Sequence, residues 1–451
     1  MSDTYAAALA WLYAYADFER GTGIGGGPPF ERGLERTSRL LADLGNPHDG
    51  LRIVHVAGSK GKGSVCALVA SAAEAAGLRT GLYTQPHLHT FRERFQIDGE
   101  PIHQASFTRL VAQARDAVKG TCSASLGAPT TFEISTAMAL AWFRMQGVDL
   151  AILEVGLGGR LDATNVVSPD VTAVTTIVRE HTRLLGDTLP AIAREKAAIA
   201  KPGVPMLVSS QPADVLAAIR DVAVAAGADV EVVPALATDG TAAWRDGRAT
   251  TIARDPQSGD TLPLGLAGPH QARNAGLAYA ICRALGDRGI PIPRDAIRAG
   301  FAAARWPGRL ELVGNDPPVV VDGAHTVEAV EVVVETLRRQ LNLRRGPVIF
   351  GALRDKSVRP MAEALRPFAT RLVVIQPGHP RGMPSGAVLD QLDGLPGATA
   401  VLNAASALAL ARDAARPGQA VLATGSLAVA ADIRAAAGIP VDTDPSVLVN
   451  P

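Results

Sequence analysis

The sequence predicts an α/β protein whose sheets are doubly wound and mostly parallel. Two observations favour this class: short runs rich in β-branched residues alternate with helix-like segments along most of the chain, and several of those runs end in glycine. A third observation divides the chain. Trp306-Pro307-Gly308 would end any helix, and the alternation restarts after it, so we predict two domains, at 1–305 and 306–451.

The first predicted domain opens with a strand–helix–strand unit. LRIVHVAG (51–58) is a compact apolar strand, SVCALVASAAEAAG (64–77) is helical, and LRTGLYTQ (78–85) is a second strand. Residues 236–266 are polar and rich in glycine and threonine, which predicts hairpins added at a sheet edge. The other elements are predicted helices at 33–45, 131–147, 189–203 and 270–289, and strands at 149–159, 170–178 and 204–210.

The second predicted domain is smaller and has the same alternation. Its strand-like runs are PPVVVDGAH, GPVIFGAL, RLVVIQPG and QAVLATGS, and helical segments such as TVEAVEVVVETLRRQL separate or follow them. We therefore expect a Rossmann-like α/β domain.

Composition excludes several classes of protein. The 451 residues contain 44 Lys+Arg and 44 Asp+Glu, so there is no basic excess for a dedicated nucleic-acid binder. Three distant cysteines, Cys66, Cys122 and Cys282, do not suggest a disulfide framework or a cysteine-rich metal site. The apolar N-terminal run is interrupted by Asp17 and is predicted to be a first helix, and no membrane span is predicted. The expectation is a soluble protein of the cytoplasm.

The most informative loop is Gly58-Ser59-Lys60-Gly61-Lys62-Gly63-Ser64, between a predicted strand and a predicted helix. Glycines allow a tight turn, and a helix N-terminus attracts anions, so the loop predicts a P-loop-type nucleotide phosphate site. Lys62 would reach the β- and γ-phosphates, and the Ser64 hydroxyl would face Mg²⁺. The spacing is shorter than in the common phosphate loop, and a plain glycine-rich turn is the alternative. Lys60 either lies near the phosphates or, as the sequence favours, points to solvent.

LEVGLGGRLDATNVV (153–167), taken with this loop, resembles the folylpolyglutamate synthase/dihydrofolate synthase family of the Mur-ligase superfamily. Further stretches that resemble the family occur in the family's order between about 33 and 430: GLERTSRLLADLGNPH, PHLHTFRERFQIDGEPI, HTRLLGDTLPAIAREKAAIAKPGVP, GPHQARNAGLA, WPGRLELV, DGAH, FGALRDKS and ATGSL. The resemblance implies an ATP-dependent ligase. A pterin or folate carboxylate would take the γ-phosphoryl group of ATP, and the amine of L-glutamate would displace phosphate from the acyl phosphate.

The resemblance also implies roles for particular residues around ATP and two Mg²⁺ ions. Glu154 and His181 match metal ligands, and Lys196 matches a lysine that is carbamylated in the family; by sequence alone Lys196 is a solvated helix lysine. The resemblance thus implies metal ligands at Ser64, Gln85, Glu154, His181 and Lys196, catalytic roles for Lys62, Lys196, His181 and Arg309, and ATP contacts at residues 58–64, Asn274, Arg309, Asp322 and His325. An interdomain salt bridge is the alternative for Arg309.

For the pterin, the resemblance implies a pocket lined by Thr130, Phe132, Asp162 and Ala163. Phe132 would stack on the flat ring and Asp162 would accept hydrogen bonds from it, although an ordinary core position suits Phe132 nearly as well. The family also implies a monomer that acts on small molecules, with no nucleic acid or membrane as partner.

The chain departs from the family at several positions. Ser59-Lys60 replaces Thr-Asn, Gln85 replaces a metal-binding serine, Glu180 replaces aspartate before His181, and Thr326-Val327 replaces Asn-Pro. Two alternatives therefore stay open: a Mur-type ligase for another carboxylate, and a nucleotide-binding homologue without catalysis. Dihydrofolate synthesis and polyglutamate extension are not separated by the sequence.

Overall fold

The computed structural model describes residues 4–17, 19–22, 30–121, 126–255, 259–392 and 397–445. The chain divides into two compact units, one formed by 1–236, 273–303 and 444–451, the other by 237–272 and 304–443. Cys122 and residues 23–29 lie outside the described residues, and Cys66 and Cys282 are buried free thiols. No helix in the described ranges is both long and apolar enough to cross a membrane.

The first unit is built on an eight-stranded sheet flanked by helices. Its strands are β1 (Ile53–Ala57), β2 (Thr80–Tyr83), β3 (Phe95–Ile97), β4 (Glu100–Pro101), β5 (Leu150–Glu154), β6 (Val171–Val174), β7 (Met206–Ser209) and β8 (Val230–Val233). Its helices are α1 (Tyr5–Tyr13), α2 (Gly33–Asp43), α3 (Lys62–Ala75), α4 (Gln104–Thr121), α5 (Thr131–Gln146), α6 (Thr182–Leu185), α7 (Leu189–Ala197), α8 (Ala213–Ala225), most of α9 (Pro269–Asp287) and α10 (Arg294–Ala303).

The strand order in this sheet is β4-β3-β2-β5-β1-β6-β7-β8. From β2 to β8 every pair is parallel, whereas the β2–β3 and β3–β4 pairs at the edge are antiparallel. Residues of β1 and β5 are buried throughout because helices cover both faces, as parallel sheets require. The carboxyl ends of β1, β2, β5 and β6 therefore meet at one edge, where α/β sheets bind ligands.

The second unit contains a ten-stranded sheet. Its strands are β9 (Ala237–Thr238), β10 (Ala243–Arg245), β11 (Arg248–Arg254), β12 (Thr261–Leu264), β13 (Glu311–Asn315), β14 (Pro318–Val321), β15 (Gly346–Phe350), β16 (Ala369–Val374), β17 (Ala398–Ala400) and β18 (Val421–Thr424). Its helices are α11 (Val327–Glu335), continued by a π-helical turn (Thr336–Gln340), α12 (Val358–Leu365), α13 (Ser385–Gln391), α14 (Ala404–Ala414) and α15 (Leu427–Ala436).

These two sheets, each with a run of parallel strands flanked by helices, confirm the predicted α/β class. Strands β14, β18, β15, β16 and β17 run parallel, as the alternation predicts. One difference concerns the hairpins predicted at 236–266. The prediction attached them to the first domain, whereas β11 pairs with β13, so they extend the sheet of the second unit. Backbone pairing at a sheet edge depends on tertiary neighbours, which local composition does not report.

Candidate active site

The predicted phosphate loop connects β1 to α3 at the carboxyl edge of the first sheet. Gly58 and Gly61 have φ values of 139° and 94°, in a region that favours glycine, and Gly61 is the N-cap of α3. The backbone N–H groups of Ser59 and Lys60 both donate to the Thr176 carbonyl, at 2.9 and 3.1 Å. An incoming phosphate would therefore meet the N-terminal end of α3 rather than these two amides.

Asn274, a predicted ATP contact on α9, lies against this loop. A Cβ atom at Gly61 would stand 2.3 Å from Asn274 Oδ1, so only glycine permits the approach. Asn274 is itself buried. The structure thus brings this predicted residue to the loop although 213 positions separate Asn274 from Gly61 in the sequence.

Two lysine side chains converge on the carbonyl oxygen of Gly58. Lys62 Nζ donates to it at 3.1 Å, and Lys196 Nζ, from α7, donates to it at 3.0 Å. Lys62 Nζ is also 3.9 Å from Glu154 Oε1, at the end of β5. Lys196 is 2% exposed, so its description as a solvated helix lysine, which rested on sequence alone, is wrong. Burial is decided by the packing of α7 and not by the local sequence.

Glu180 is the partner of this lysine group. Its Oε1 accepts from Lys196 Nζ at 3.1 Å, and its Oε2 is 3.5 Å from Lys60 Nζ. Lys60 keeps a third of its side-chain surface exposed. Its position is therefore intermediate between contact with the site and solvent, because its ammonium group is near the Glu180 carboxylate and still partly in solvent. Three lysines and two glutamates, Glu154 and Glu180, therefore surround the loop.

The charges in this cluster change two pKa values. Burial alone would raise the pKa of Glu180, but the charges of Lys196, Lys62 and Lys60 outweigh it and lower the pKa to about 2. Burial and the charge of Lys62 lower the pKa of Lys196 to about 8, against the opposing effect of Glu180. Lys196 is thus a buried amine that loses its proton more readily than an exposed lysine.

Gln85 lies two residues beyond the end of β2, Glu154 ends the neighbouring strand β5, and the two residues are hydrogen-bonded to each other. The Gln85 backbone N–H donates to Glu154 Oε2, and Gln85 Nε2 donates to the Glu154 carbonyl, both at 3.2 Å. Gln85 Oε1 is buried and has no hydrogen-bond partner. An unpaired buried carbonyl oxygen beside a carboxylate is the type of donor set that Mg²⁺ prefers.

The remaining predicted metal ligands differ in how well they are placed. Ser64 is buried in the first turn of α3, close in sequence to Lys62. His181 is the N-cap of the short helix α6, has a φ of 49°, and is exposed. Among the described residues no group of three His, Cys, Asp or Glu side chains has metal-ligand spacing, so a cation here would depend on hydroxyl and amide oxygens as well.

The predicted pterin residues lie together beside the carboxyl ends of β2 and β5. Phe132 stacks on Tyr83, with ring centroids 6.1 Å apart and an interplanar angle of 19°. A Cβ atom at Gly156 would stand 2.8 Å from Phe132 Cζ and 3.1 Å from Asp162 Oδ2, so the ring and the carboxylate border the same small space. Ala163 is buried next to Asp162.

Asp162 is, however, already engaged by its own chain. Oδ2 accepts from the Leu157 N–H at 2.8 Å, and Oδ1 accepts from the Thr164 N–H at 3.0 Å and from its hydroxyl at 2.5 Å. The Gly156 N–H is a further donor. Burial raises the pKa of Asp162, and these hydrogen bonds oppose the rise. The Asp162 carboxylate therefore stabilises the conformation of the loop between β5 and β6.

Thr130 is the N-cap of α5, where its Oγ1 accepts from the Glu133 N–H at 3.1 Å. Glu133 in turn forms a buried two-pronged ion pair with Arg36 of α2, at 2.8 and 2.7 Å. The sequence alone does not reveal this pair, because Arg36 and Glu133 are 97 positions apart and each looks like a solvated helix charge. The pair anchors the N-terminal end of α5, which carries Phe132.

The predicted ATP contacts of the second unit form a separate group at the end of β14. Asp322 is buried, and its carboxylate accepts from the backbone N–H groups of Leu310 and Ala324, at 2.9 and 2.8 Å. The Arg309 guanidinium lies over Gly323, where a Cβ atom would come within 2.5 Å of Nη1. His325 Nδ1 hydrogen-bonds to the Gly323 carbonyl at 3.0 Å. Asp322 thus fixes the turn that presents Arg309 and His325.

Comparison with known proteins places the chain among ligases. Residues 308–427 match the family model of the Mur ligase glutamate ligase domain. The dihydrofolate synthase/folylpolyglutamate synthase of Bacillus subtilis is 36% identical over 372 residues, which cover 82% of this chain and 84% of that protein. A probable bifunctional folylpolyglutamate synthase/dihydropteroate synthase of Halobacterium salinarum is 44% identical over 74% of this chain, but the match spans only 40% of that longer protein.

Solved structures agree with these relatives. The Mycobacterium tuberculosis folylpolyglutamate synthase complexed with ADP and AMPPCP has a TM-score of 0.83 and 32% identity, covering 92% of this chain and 97% of that one. An E. coli protein in complex with DHPP and ADP has a TM-score of 0.74 and 31% identity, covering 88% and 91%. The chain belongs to the folylpolyglutamate synthase/dihydrofolate synthase family.

Proposed function

We propose that this protein is an ATP-dependent ligase that joins L-glutamate to dihydropteroate, to a folylpolyglutamate, or to both. The observation that carries the proposal is the convergence of Lys62 and Lys196 on the Gly58 carbonyl, at the N-terminal end of α3. Relatives with the same fold bind ADP and AMPPCP, which supports a nucleotide at this loop. Positive charge, a helix N-terminus and a glycine turn are what a triphosphate requires.

The reaction needs an electrophile stronger than a carboxylate. A carboxylate oxygen of the acid attacks the γ-phosphorus of ATP, the bond to the β,γ-bridging oxygen breaks, and ADP leaves. The amine of glutamate then attacks the acyl carbon, the C–O bond to phosphate breaks, and the amine loses a proton as the amide forms. Lys62 and the N-terminal end of α3 neutralise the charge that develops on the transferring phosphoryl group.

The chain offers oxygen ligands suited to Mg²⁺ at the same edge. Glu154, Ser64 and the unpaired Oε1 of Gln85 would hold one ion, and His181, with Lys196 as a carbamate, would contribute to a second. Bound Mg²⁺ would neutralise phosphate charge and orient the nucleotide. We also propose that Lys196 becomes carbamylated, since a buried amine with a pKa of about 8 has a reactive neutral fraction.

We place the acid substrate beside Phe132 and Gly156. The ring of Phe132 offers a flat apolar surface on which a planar ring could stack. The E. coli relative described above was solved in complex with DHPP. Arg309, Asp322 and His325 of the second unit are proposed as nucleotide contacts. We further propose that the protein is a monomer of the cytoplasm that acts on small molecules, without nucleic acid or membrane as a partner.

A product assay by mass tests this function. The protein is incubated with ATP, Mg²⁺ and L-glutamate, and dihydropteroate and tetrahydrofolate are offered separately. We expect a mass gain of one glutamyl residue, and phosphate release that requires both acid and glutamate. ATP binding without phosphate release for any acid would favour a non-catalytic homologue, and turnover with only an unrelated carboxylate would favour a different Mur-type ligase.

A further inference from the structure

A buried chain of hydrogen bonds in the first unit reaches from β1 to Asp162 and includes a residue, His55, that none of the roles above uses. His55, in the middle of β1, is fully buried. Its Nε2 is 2.7 Å from Thr164 Oγ1, and Thr164 Oγ1 is 2.5 Å from Asp162 Oδ1. Three polar side chains thus link the strand that leads into the phosphate loop to the loop that carries Asp162.

The direction of the hydrogen bonds in this chain follows from its chemistry. The Asp162 carboxylate accepts backbone N–H groups at both oxygens, so the Thr164 hydroxyl hydrogen points towards it. The hydroxyl oxygen must then accept from His55 Nε2–H. His55 Nδ1 is buried with no hydrogen-bond partner in the structure, so a proton there would be an unpaired buried donor. Both arguments select a neutral imidazole with its proton on Nε2.

The same ring does not titrate near neutral pH. Burial, with a smaller effect from the charge of Lys201, lowers the pKa of His55 to about 3. The imidazole is therefore a fixed donor rather than an acid or base.

We propose that His55 is a positioning residue that, through Thr164, holds the Asp162 carboxylate in the orientation that leaves room for the acid substrate beside Phe132. The space is small, because a Cβ atom at Gly156 would already stand 3.1 Å from Asp162 Oδ2 and 2.8 Å from Phe132 Cζ. A rotation of the carboxylate would consequently reshape this pocket. The inference rests on the proposed function, which places the acid there.

The test compares variants that lose the His55 donor or the Thr164 hydroxyl with variants that keep these groups. His55→Leu and Thr164→Val should each raise the KM for the acid about tenfold, the loss of one buried hydrogen bond, and leave the KM for ATP within about twofold. His55→Gln and Thr164→Ser, which keep a donor and a hydroxyl, should recover most of the affinity. The KM of the double variant for the acid should not exceed that of the single variant with the higher KM, since His55 and Thr164 act in series. His103→Leu, at an exposed histidine, is the control.

An unchanged KM for the acid in Thr164→Val, or an equal rise in both KM values, would overturn the proposal. Thr164→Val replaces only the hydroxyl by a methyl group of similar size, so the proposal can still be tested if His55→Leu does not fold. A second readout needs no turnover: ¹⁵N spectra of the wild type should show a neutral Nε2–H imidazole whose proton exchanges slowly, and Thr164→Val should lose that protection. An Nδ1–H or protonated ring at pH 7 would refute the relay. An inactive wild type with the expected spectrum would contradict only the proposed function.

Discussion

Lys196 and Glu180 form an ion pair on the buried side of the phosphate loop, with Nζ 3.1 Å from Oε1. The same Nζ donates to the Gly58 carbonyl at 3.0 Å, so the pair is attached to the loop itself. Glu180 stands where the resemblance implies aspartate, and its side chain makes the contact here. The loop is thus held by a charged group whose two members come from α7 and the segment before α6.

Lys62→Ala should abolish ATP turnover and leave the fold intact. Lys62 is the loop cation that contacts the Gly58 carbonyl and approaches Glu154, and its loss removes the charge that would meet the γ-phosphate. Phosphate release and thermal unfolding are measured in parallel. Lys119→Ala, at an exposed lysine of α4, is the control. Near-normal turnover in Lys62→Ala would remove Lys62 from the mechanism.

Gly61→Ala should weaken nucleotide binding much more than Gly77→Ala. Both glycines have positive φ, 94° and 82°, so both variants carry the backbone strain of roughly 1–2 kcal/mol. Only at Gly61 would the new Cβ collide with Asn274, at 2.3 Å from Oδ1, whereas nothing lies within 4 Å at Gly77. Calorimetric titration with an ATP analogue measures the difference. Equal affinities would show that the contact with Asn274 is unimportant for the nucleotide.

Lys196→Ala should lose activity, and rescue of turnover by added small molecules should distinguish the two roles considered for Lys196. If Lys196 works as a carbamate, acetate or formate should partly restore turnover by supplying the missing carboxylate. If it works as the ammonium partner of Glu180, methylamine should restore turnover and the acids should not. Wild-type rates in the variant would exclude both roles.

Glu180→Gln should destabilise the protein at pH 7, and the difference should shrink in acid. The pKa of Glu180 falls from 4.5 to about 2 on folding, so the ionised group stabilises the fold above pH 4.5, and this stabilisation is lost as the pH falls towards 2. A pKa shift of this size corresponds to about 3 kcal/mol of the free energy of unfolding. Urea unfolding at pH 7 and pH 3 measures it, and a difference that does not depend on pH would contradict the ion-pair origin.

Much of the candidate site could be predicted from sequence because its parts are local. Residues 58–64 contain both glycines with positive φ and Lys62, and Glu154 ends a strand that the apolar run LAILE predicts. The ends of parallel strands share one sheet edge, so these residues were expected to meet. The resemblance added Asn274, which lies against the loop in the structure.

Long-range side-chain partners could not be predicted in this way. The Arg36–Glu133 pair and the His55–Thr164–Asp162 chain join residues about 100 positions apart. The sequence also did not predict the β3–β4 hairpin at the edge of the first sheet or strand β13, which lies between β11 and β14 in the second. Their pairing depends on which backbone lies alongside, and that is a property of the assembled sheet.

The sequence by itself determined the strand–helix alternation, the glycine turn before α3 and the charged residues that surround it, because backbone conformation and periodicity are local properties. Tertiary structure alone decided that Lys196 is buried, that Glu180 is its partner, and that Asp162 is held by Thr164 and His55. Burial and hydrogen-bond partners depend on which segments pack together, and desolvation then sets the pKa values that distinguish these groups from ordinary surface charges.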